Sequence, residues 1–268
     1  MKVNKALTIA GSDSGGGAGI QADLKTFQEL GVYGMTAITA ITAQNTLGVQ
    51  GVYPVPLEGI TEQLNSIGTD LTPDAVKLGM LFSSEIIQIV AEHINKFGWN
   101  NIVLDPVMIA KGGASLLQQE AVQALKEYLL PVATVITPNV PEAEVLTGLE
   151  IHNVEDSKEA AKVLHELGAK YVLMKGGHAE YQGNEVIDLL FDGEDFIEFR
   201  SERIPSKQTH GSGCTFASAV TAGLAKGYSM EEAVQEAKQF ISIAIEEPLN
   251  IGSGHGPTNH FAYKLNKA

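Results

Sequence analysis

The sequence predicts one α/β domain of three layers, a mainly parallel central sheet covered by helices on both faces. Three observations carry this. Short apolar runs alternate with helical patterns almost throughout, which is how successive β-α units read in sequence. Nearly every apolar run ends in glycine or a polar cluster before the next helix begins. No repeat, low-complexity tract or linker divides the 268 residues, so 1–268 is expected to fold as a single unit with right-handed crossovers.

In chain order, Lys5 to Ala10 reads as a buried strand that ends in Gly11-Ser12-Asp13-Ser14-Gly15-Gly16-Gly17-Ala18-Gly19. A glycine-rich loop between a buried strand and a helix builds a ligand site at the strand's carboxyl end. The helix Ile20–Leu30 stops at Gly31, placed as a C′ glycine. Tyr33–Ala43 is the next strand, followed by Gln44-Asn45-Thr46 and a helix over Glu58–Gly68. Asp74–Met80 is a strand, and Ser83 opens a helix that runs to Phe97 ahead of Gly98. Ile102–Met108 is a strand interrupted by Asp105-Pro106, because proline ends ladder pairing.

Lys111–Ser115 reads as a loop and Gln118–Leu130 as a helix. The strand Thr134–Pro138 leads to Pro141, placed to begin a helix. A helix over Lys158–Leu167 closes at Gly168, and the strand Tyr171–Lys175 ends in Gly176-Gly177-His178. Val186–Phe191 and Phe196–Phe199 form a hairpin across Asp192-Gly193. After Gly211-Ser212-Gly213-Cys214 comes a helix apolar on nearly all sides, hence buried. Ser229 and Glu232 have capping-box spacing for a last helix reaching Glu246, and the tail from Pro248 is irregular.

Composition narrows the function. A net charge of −14 without a basic run argues against nucleic acid as a partner. One cysteine excludes an internal disulfide and Cys-rich metal sites. No apolar run approaches the length of a membrane span, and the first residues lack a secretory pattern, so a cytoplasmic protein is expected. There is no G-x-x-x-x-G-K-[ST], no G-x-G-x-x-G after the first strand and no H-E-x-x-H.

Asp13, Gln44, Asp105, Asn139 and Lys175 each fall at or just past the carboxyl end of a strand. In a parallel sheet those ends share one rim. Taken singly, each is an ordinary turn residue; taken together with the Gly211–Cys214 turn, they describe a site. The types suit phosphoryl transfer, where positioning and charge neutralisation carry most of the catalysis. Asp105 and Glu142 offer hard oxygens for Mg²⁺. Lys175 supplies a point charge for a phosphate. The N–H groups of the buried helix, freed by Gly211 and Gly213, would hold the developing negative charge. Cys214 at that helix start would be drawn toward thiolate and accept a proton from an attacking hydroxyl. His178 and His210 lie near the rim and read as hydrogen-bonding loop residues. A thiol redox role fits poorly, because no second cysteine is present to resolve a disulfide.

The segments Ala10–Asp23, Thr42–Asn45, Asp105–Met108, Thr137–Glu142, Met174–His178 and Gly211–Phe216 together resemble the hydroxymethylpyrimidine and hydroxymethylpyrimidine-phosphate kinases of thiamine synthesis, within the ribokinase-like superfamily. The resemblance spans almost the whole chain. It implies a ribokinase-like fold, a common homodimer, and ATP-dependent phosphorylation of 4-amino-5-hydroxymethyl-2-methylpyrimidine and then of its monophosphate. It also implies roles: Gln44 and Asp23, with Gly11 and Val107, for the pyrimidine; Cys214, Lys175, Gly211 and Gly213 at the transferred phosphate; Asn139, Glu142, Lys175 and Thr209 for the nucleotide; Asp105 and Glu142 for Mg²⁺. A neighbouring group of pyridoxine/pyridoxal kinases shares the first and last motifs. That group tends to lack the glutamine at 44 and carries a cysteine where this chain has Ala110. A non-catalytic pyrimidine-binding protein is the reading from a different class.

Overall fold

The computed structural model describes residues 3–108, 119–179 and 183–266. The expected loop at Lys111–Ser115, the position of Ala110 and part of the segment His178–Gly183 lie outside them. Six strands run parallel: β1 Lys5–Ala10, β2 Tyr33–Ile38, β5 Ala75–Leu78, β6 Ile102–Leu104, β7 Val135–Ile136 and β8 Tyr171–Met174. The expected hairpin, β9 Glu185–Phe191 and β10 Phe196–Glu202, adds an antiparallel edge. The eight-stranded order is β10-β9-β8-β7-β6-β5-β1-β2. Beside this sheet stands a separate antiparallel pair, β3 Ala40–Asn45 and β4 Gly48–Pro54.

Helices cover both faces, as expected of strands that are apolar on both sides. On one face lie α1 Gly19–Glu29, α7 Ser212–Ala225 and α8 Met230–Glu246, around Phe27, Val220 and Phe240. The other face carries α2 Leu57–Asp70, α3 Ser84–Phe97, α4 Gln119–Ala124 and α6 Val154–Glu166, around Ile60, Ile87 and Leu164. Helix α5 Val140–Thr147 packs on α6, and the short α9 Ala262–Leu265 packs on α8. Helix ends follow local chemistry. Ser83 accepts the Ile86 N–H, Gly98 closes α3 in the left-handed region, and Ser229 with Glu232 forms a complete capping box.

Two expectations need correction. The single strand expected over Tyr33–Ala43 is two strands in different sheets. Thr39 is the break: it is fully buried, its N–H donates to Ala10 O and its hydroxyl to Met80 O. The chain therefore leaves the main sheet after β2, and 48–54, not read as a strand, returns beside it. Helix α6 also begins at Val154 rather than Lys158, because Asn153 caps it by accepting the Asp156 N–H.

Strand β1 has β2 on one side and β5 on the other, so the strand order turns at β1. A crevice forms outside the carboxyl ends at such a point. The α7–α8 layer behind it is held by apolar packing, with Phe240 fully buried and its ring 5.0 Å from that of Tyr263. Phe240→Ala is expected to cost about 3–5 kcal/mol, read as a shift of the denaturation midpoint at unchanged slope.

Candidate active site

The rim holds one large cavity of about 1080 Å³. It runs along the carboxyl edge from the β1 loop and the β5 end to the start of β9, the residues after β10 and the exposed face of α8. Gly11, Gln44, Val107, Asp105, Asn139, Glu142, Lys175, Thr209, Gly211, Gly213 and Cys214 all line it. Residues expected from scattered positions thus meet in one space.

The start of α7 forms one wall. Gly211 has φ 77°, and a Cβ there would run into the Gly17 carbonyl oxygen, so the two glycine loops touch and only glycine fits. No side chain caps α7. The first-turn N–H groups of a helix have no acceptor within the helix, which leaves those of Gly213 and Cys214 facing the cavity for an anion. Gly213 stands directly over the charged residues: a Cβ on it would lie 3.5 Å from Lys175 Nζ and 3.9 Å from Asp105 Oδ2.

Those charges form a chain. Lys175 Nζ donates to Asp105 Oδ1 at 2.8 Å and lies 3.9 Å from Glu142 Oε2. Asn139 and Glu142 build the α5 capping box, each side chain accepting the other's backbone N–H at 2.9 Å. Asn139 Oδ1 is therefore committed to the helix. Burial pushes the Glu142 carboxyl up to about 7, against the Lys175 charge and with the help of Asp105. Burial opposes the Lys175 ammonium, but Asp105 and Glu142 outweigh it and its pKa rises.

At the β1 end, Gln44 is aimed by a register shift between Ala43 and Gln44 in the β3–β4 pair. A bulge of this kind redirects one side chain. Ser14 fixes the Gln44 backbone by accepting its N–H and donating to its carbonyl, both at 2.8 Å. Asp13 organises the glycine loop, its carboxylate accepting from the N–H groups of Gly15, Gly17 and Ala18.

Two expectations differ from what is found. Asp23 does not line the cavity. It is fully buried beneath it, its carboxylate accepting from Thr8 Oγ1 at 2.6 Å, Ser218 Oγ at 2.7 Å and Lys77 Nζ at 3.0 Å. No oxygen of Asp23 points toward a ligand; the reach into the cavity belongs to Lys77, which sequence reasoning passed over as one polar residue in an apolar strand. Nor is Cys214 drawn to thiolate. Burial pushes its thiol up to about 11, and the nearby Lys77 ammonium offsets only part of this. Lys77 itself is raised: burial disfavours its charge, but Asp23 outweighs burial, assisted by Cys214 and Asp105. The segment from Lys226 to Ser253 contributes Lys238, Ile241, Ser242 and Ile245 to the lining. Val186, Ile204 and Pro205 also line it and carried no motif to announce them.

A family profile described as phosphomethylpyrimidine kinase matches residues 13–259, nearly the whole chain. The chain belongs to this family. The hydroxymethylpyrimidine/phosphomethylpyrimidine kinase of Bacillus subtilis is 57% identical over 266 residues, covering 99% of this chain and 98% of that one. The pyridoxine kinase of the same organism is 49% identical over 270 residues, covering 100% and 99%. The crystal structure of Bacillus subtilis pyridoxal kinase with ADP aligns with a TM-score of 0.92 at 49% identity, covering 99% of this chain and 100% of that one. A member of the phosphomethylpyrimidine kinase family and a pyridoxal kinase thus share this ribokinase-like frame.

The ionic pair beneath this family's cavity generates a prediction. Asp23→Asn leaves the Lys77 ammonium buried without a counter-charge and is expected to cost about 3–5 kcal/mol. Asp23→Leu combined with Lys77→Met removes both charges and is expected to restore most of that loss. Urea denaturation of the three variants checks both.

Proposed function

We propose that the chain transfers the γ-phosphoryl group of ATP to the hydroxymethyl oxygen of 4-amino-5-hydroxymethyl-2-methylpyrimidine, and then phosphorylates the monophosphate to the diphosphate in thiamine synthesis. One observation carries this reading. A single cavity presents a carboxamide, Gln44, at one end and an uncapped helix start facing Lys175 in its middle. A carboxamide both donates and accepts, which suits the amino group and ring nitrogen of an aminopyrimidine edge. The helix start and the lysine suit a phosphoryl group in flight.

In the first step the hydroxymethyl oxygen bonds to the γ-phosphorus, the bond to the β,γ-bridging oxygen breaks and ADP leaves. The alcohol proton passes to Cys214 in its thiolate form. In the second step an oxygen of the monophosphate bonds to the γ-phosphorus of a second ATP, the bond to its β,γ-bridging oxygen breaks, and ADP leaves as the diphosphate anhydride forms. Val186, Ile204, Pro205, Phe216 and Ile241 give the cavity apolar lining that suits the base of ATP, and Thr209 and the amide of Asn139 suit its phosphates.

Among the described residues no cluster of three or more His, Cys, Asp or Glu side chains builds a metal cage. Asp105 and Glu142 fit Mg²⁺ in its usual manner, with one or two carboxylates and the rest of its shell from water and nucleotide phosphate. Bound there, the ion would neutralise phosphate charge. The family resemblance further implies a cytoplasmic homodimer; no described helix is long and apolar enough to cross a membrane.

Pyridoxine phosphorylation is the second reading, supported by the 49% identical pyridoxine kinase. Purified protein given ATP, Mg²⁺ and each precursor is expected to turn over the pyrimidine alcohol faster than pyridoxal, measured as ADP formed. Faster pyridoxal turnover overturns the assignment, and no substrate-dependent ADP points to the binding protein instead.

A second expectation concerns Cys214. The alcohol must lose a proton, whereas a phosphate monoester, with a second pKa of about 6, arrives largely ionised. Cys214→Ala should therefore slow the first step more than the second. With the thiol pushed up to about 11, the thiolate fraction grows with pH across the neutral range. The first step should accelerate from neutral to mildly alkaline pH and the second should not. Equal losses and parallel pH profiles would mean that Cys214 only positions the acceptor.

A further inference from the structure

His210, read from sequence as a loop residue, sits where Gln44, Asp13 and the α7 start meet. Its Nε2 lies 2.8 Å from Asp13 Oδ2 and 3.4 Å from Gln44 Nε2. On its other side, Gln44 Oε1 lies 3.2 Å from Thr42 Oγ1, whose hydroxyl lies 2.8 Å from the Ser12 carbonyl oxygen. The histidine is largely buried, at 13% side-chain exposure, and Asp13 is at 2%.

The proton inventory of this cluster has one solution. Asp13 is ionised: burial works against its charge, but His210 and the N–H groups of the glycine loop hold its carboxyl below the ordinary value. A carboxylate only accepts, so the 2.8 Å contact requires a proton on His210 Nε2. That nitrogen then has no lone pair for the Gln44 amide N–H. The Ser12 carbonyl also only accepts, so the Thr42 hydroxyl proton points at it. Thr42 Oγ1 then has no proton for Gln44 Oε1. Turning the carboxamide by 180° resolves both conflicts together: Oε1 accepts from His210 Nε2–H, and Nε2 donates to Thr42 Oγ1. The two ends of a carboxamide differ little in size, so hydrogen bonding decides between them.

We infer that His210, held by Asp13, is a positioning residue that fixes the orientation of the Gln44 carboxamide and thereby the sense in which the substrate ring enters. This rests on the aminopyrimidine reading of the site. In that substrate the amino group stands between the ring nitrogen and the carbon that bears the hydroxymethyl group. A Gln44 oxygen on the His210 side accepts from the amino group, and the Gln44 N–H meets the ring nitrogen on the Thr42 side. The hydroxymethyl group then falls on the His210 side, next to the α7 start and Cys214. The opposite carboxamide orientation pairs equally well but turns the ring over, carrying the hydroxymethyl group toward Thr42 and away from the phosphoryl seat. A ring bound that way occupies the site without reacting.

The test uses full-length enzyme with His210→Leu, which removes the donor, and His210→Gln, which returns an N–H at similar reach. Lost orientation leaves the two senses at most equally populated, so about half of the complexes become unreactive and His210→Leu is expected to lower kcat for the pyrimidine alcohol about twofold. The KM for the alcohol should stay level or fall, the KM for ATP should not move, and His210→Gln should recover most of the loss. A purely structural role predicts the reverse, with both KM values raised and no recovery in His210→Gln; either result overturns the inference. Independently of any substrate, ¹⁵N NMR of the histidine-labelled wild type should show His210 protonated at Nε2. A proton on Nδ1 alone overturns the inference even if the variants lose activity. Wild-type enzyme that does not phosphorylate the aminopyrimidine at all sinks the substrate reading instead, and the NMR result then still decides the tautomer.

Discussion

Everything above the sheet rests on a charge pair below it. Lys77 from β5 and Asp23 from α1 meet at 3.0 Å with both side chains fully buried. Thr8 of β1 and Ser218 of α7 complete the hydrogen bonding of the carboxylate. The consecutive elements β1 and α1 are thereby pinned to β5 and α7, which lie far from them in sequence, at one point under the cavity. A buried pair is a poor way to gain stability, since removing two ions from water costs about as much as their attraction returns. What the pair does supply is direction. Hydrocarbon packing tolerates small slides, whereas a carboxylate with three donors at fixed distances does not. Helix α7 is held in register with β1 and β5 because Ser218 cannot leave Asp23 without stranding its own buried hydroxyl.

That register sets what the cavity can hold. Gly211 touches the Gly17 carbonyl, and Gly213 stands over Lys175 and Asp105. The helix N–H groups and the lysine therefore converge on one volume from two sides. The acceptor half of the cavity is assembled differently. It depends on the β3–β4 pair, which leaves the sheet at Thr39 and is tied to the glycine loop by Ser12 and Ser14. Lys175, Asp105 and the α7 start thus belong to the main sheet and the helices on it, and Gln44 belongs to an attached hairpin. Such a division allows related kinases to keep one frame and change the acceptor, consistent with a pyridoxal kinase at 49% identity that aligns at a TM-score of 0.92.

Much of this was legible in the residues. The alternation of apolar runs and helices gave the parallel sheet, and the polar residues at strand ends marked the rim. Capping signals at Ser83 and Ser229 placed two helices, because those interactions are local. What escaped was long-range. Nothing in Ala75-Val76-Lys77-Leu78 shows that its lysine finds a carboxylate 54 positions earlier. Asp23 reads as a ligand residue only through the family resemblance. Only the packing of α1 against α7 turns it inward. The break at Thr39 escaped too, since 33–43 carries no turn signal between its β-branched residues and the Met80 carbonyl that takes the Thr39 hydroxyl becomes a neighbour only in the folded chain. The expectation of an acidic Cys214 at a helix start failed as well: burial pushes the thiol up, and desolvation is a term that sequence does not display.

The balance of charge around the phosphoryl seat carries one last consequence. Asp23, Asp105 and Glu142 face Lys77 and Lys175, so the buried carboxylates outnumber the ammonium groups. Glu142 bears the excess: burial and the neighbouring Asp105 lift it to about 7 in spite of Lys175. A site with surplus negative charge is a poor host for a triphosphate on its own. A divalent cation held by Asp105 and Glu142 would offset that repulsion and favour the ionised form of Glu142. The two lysines then divide the work by depth. Lys77 is locked to Asp23 and can only set the field under Cys214. Lys175, bound at 2.8 Å to one carboxylate and 3.9 Å from the other, can exchange a carboxylate for a phosphate oxygen as charge moves across the site.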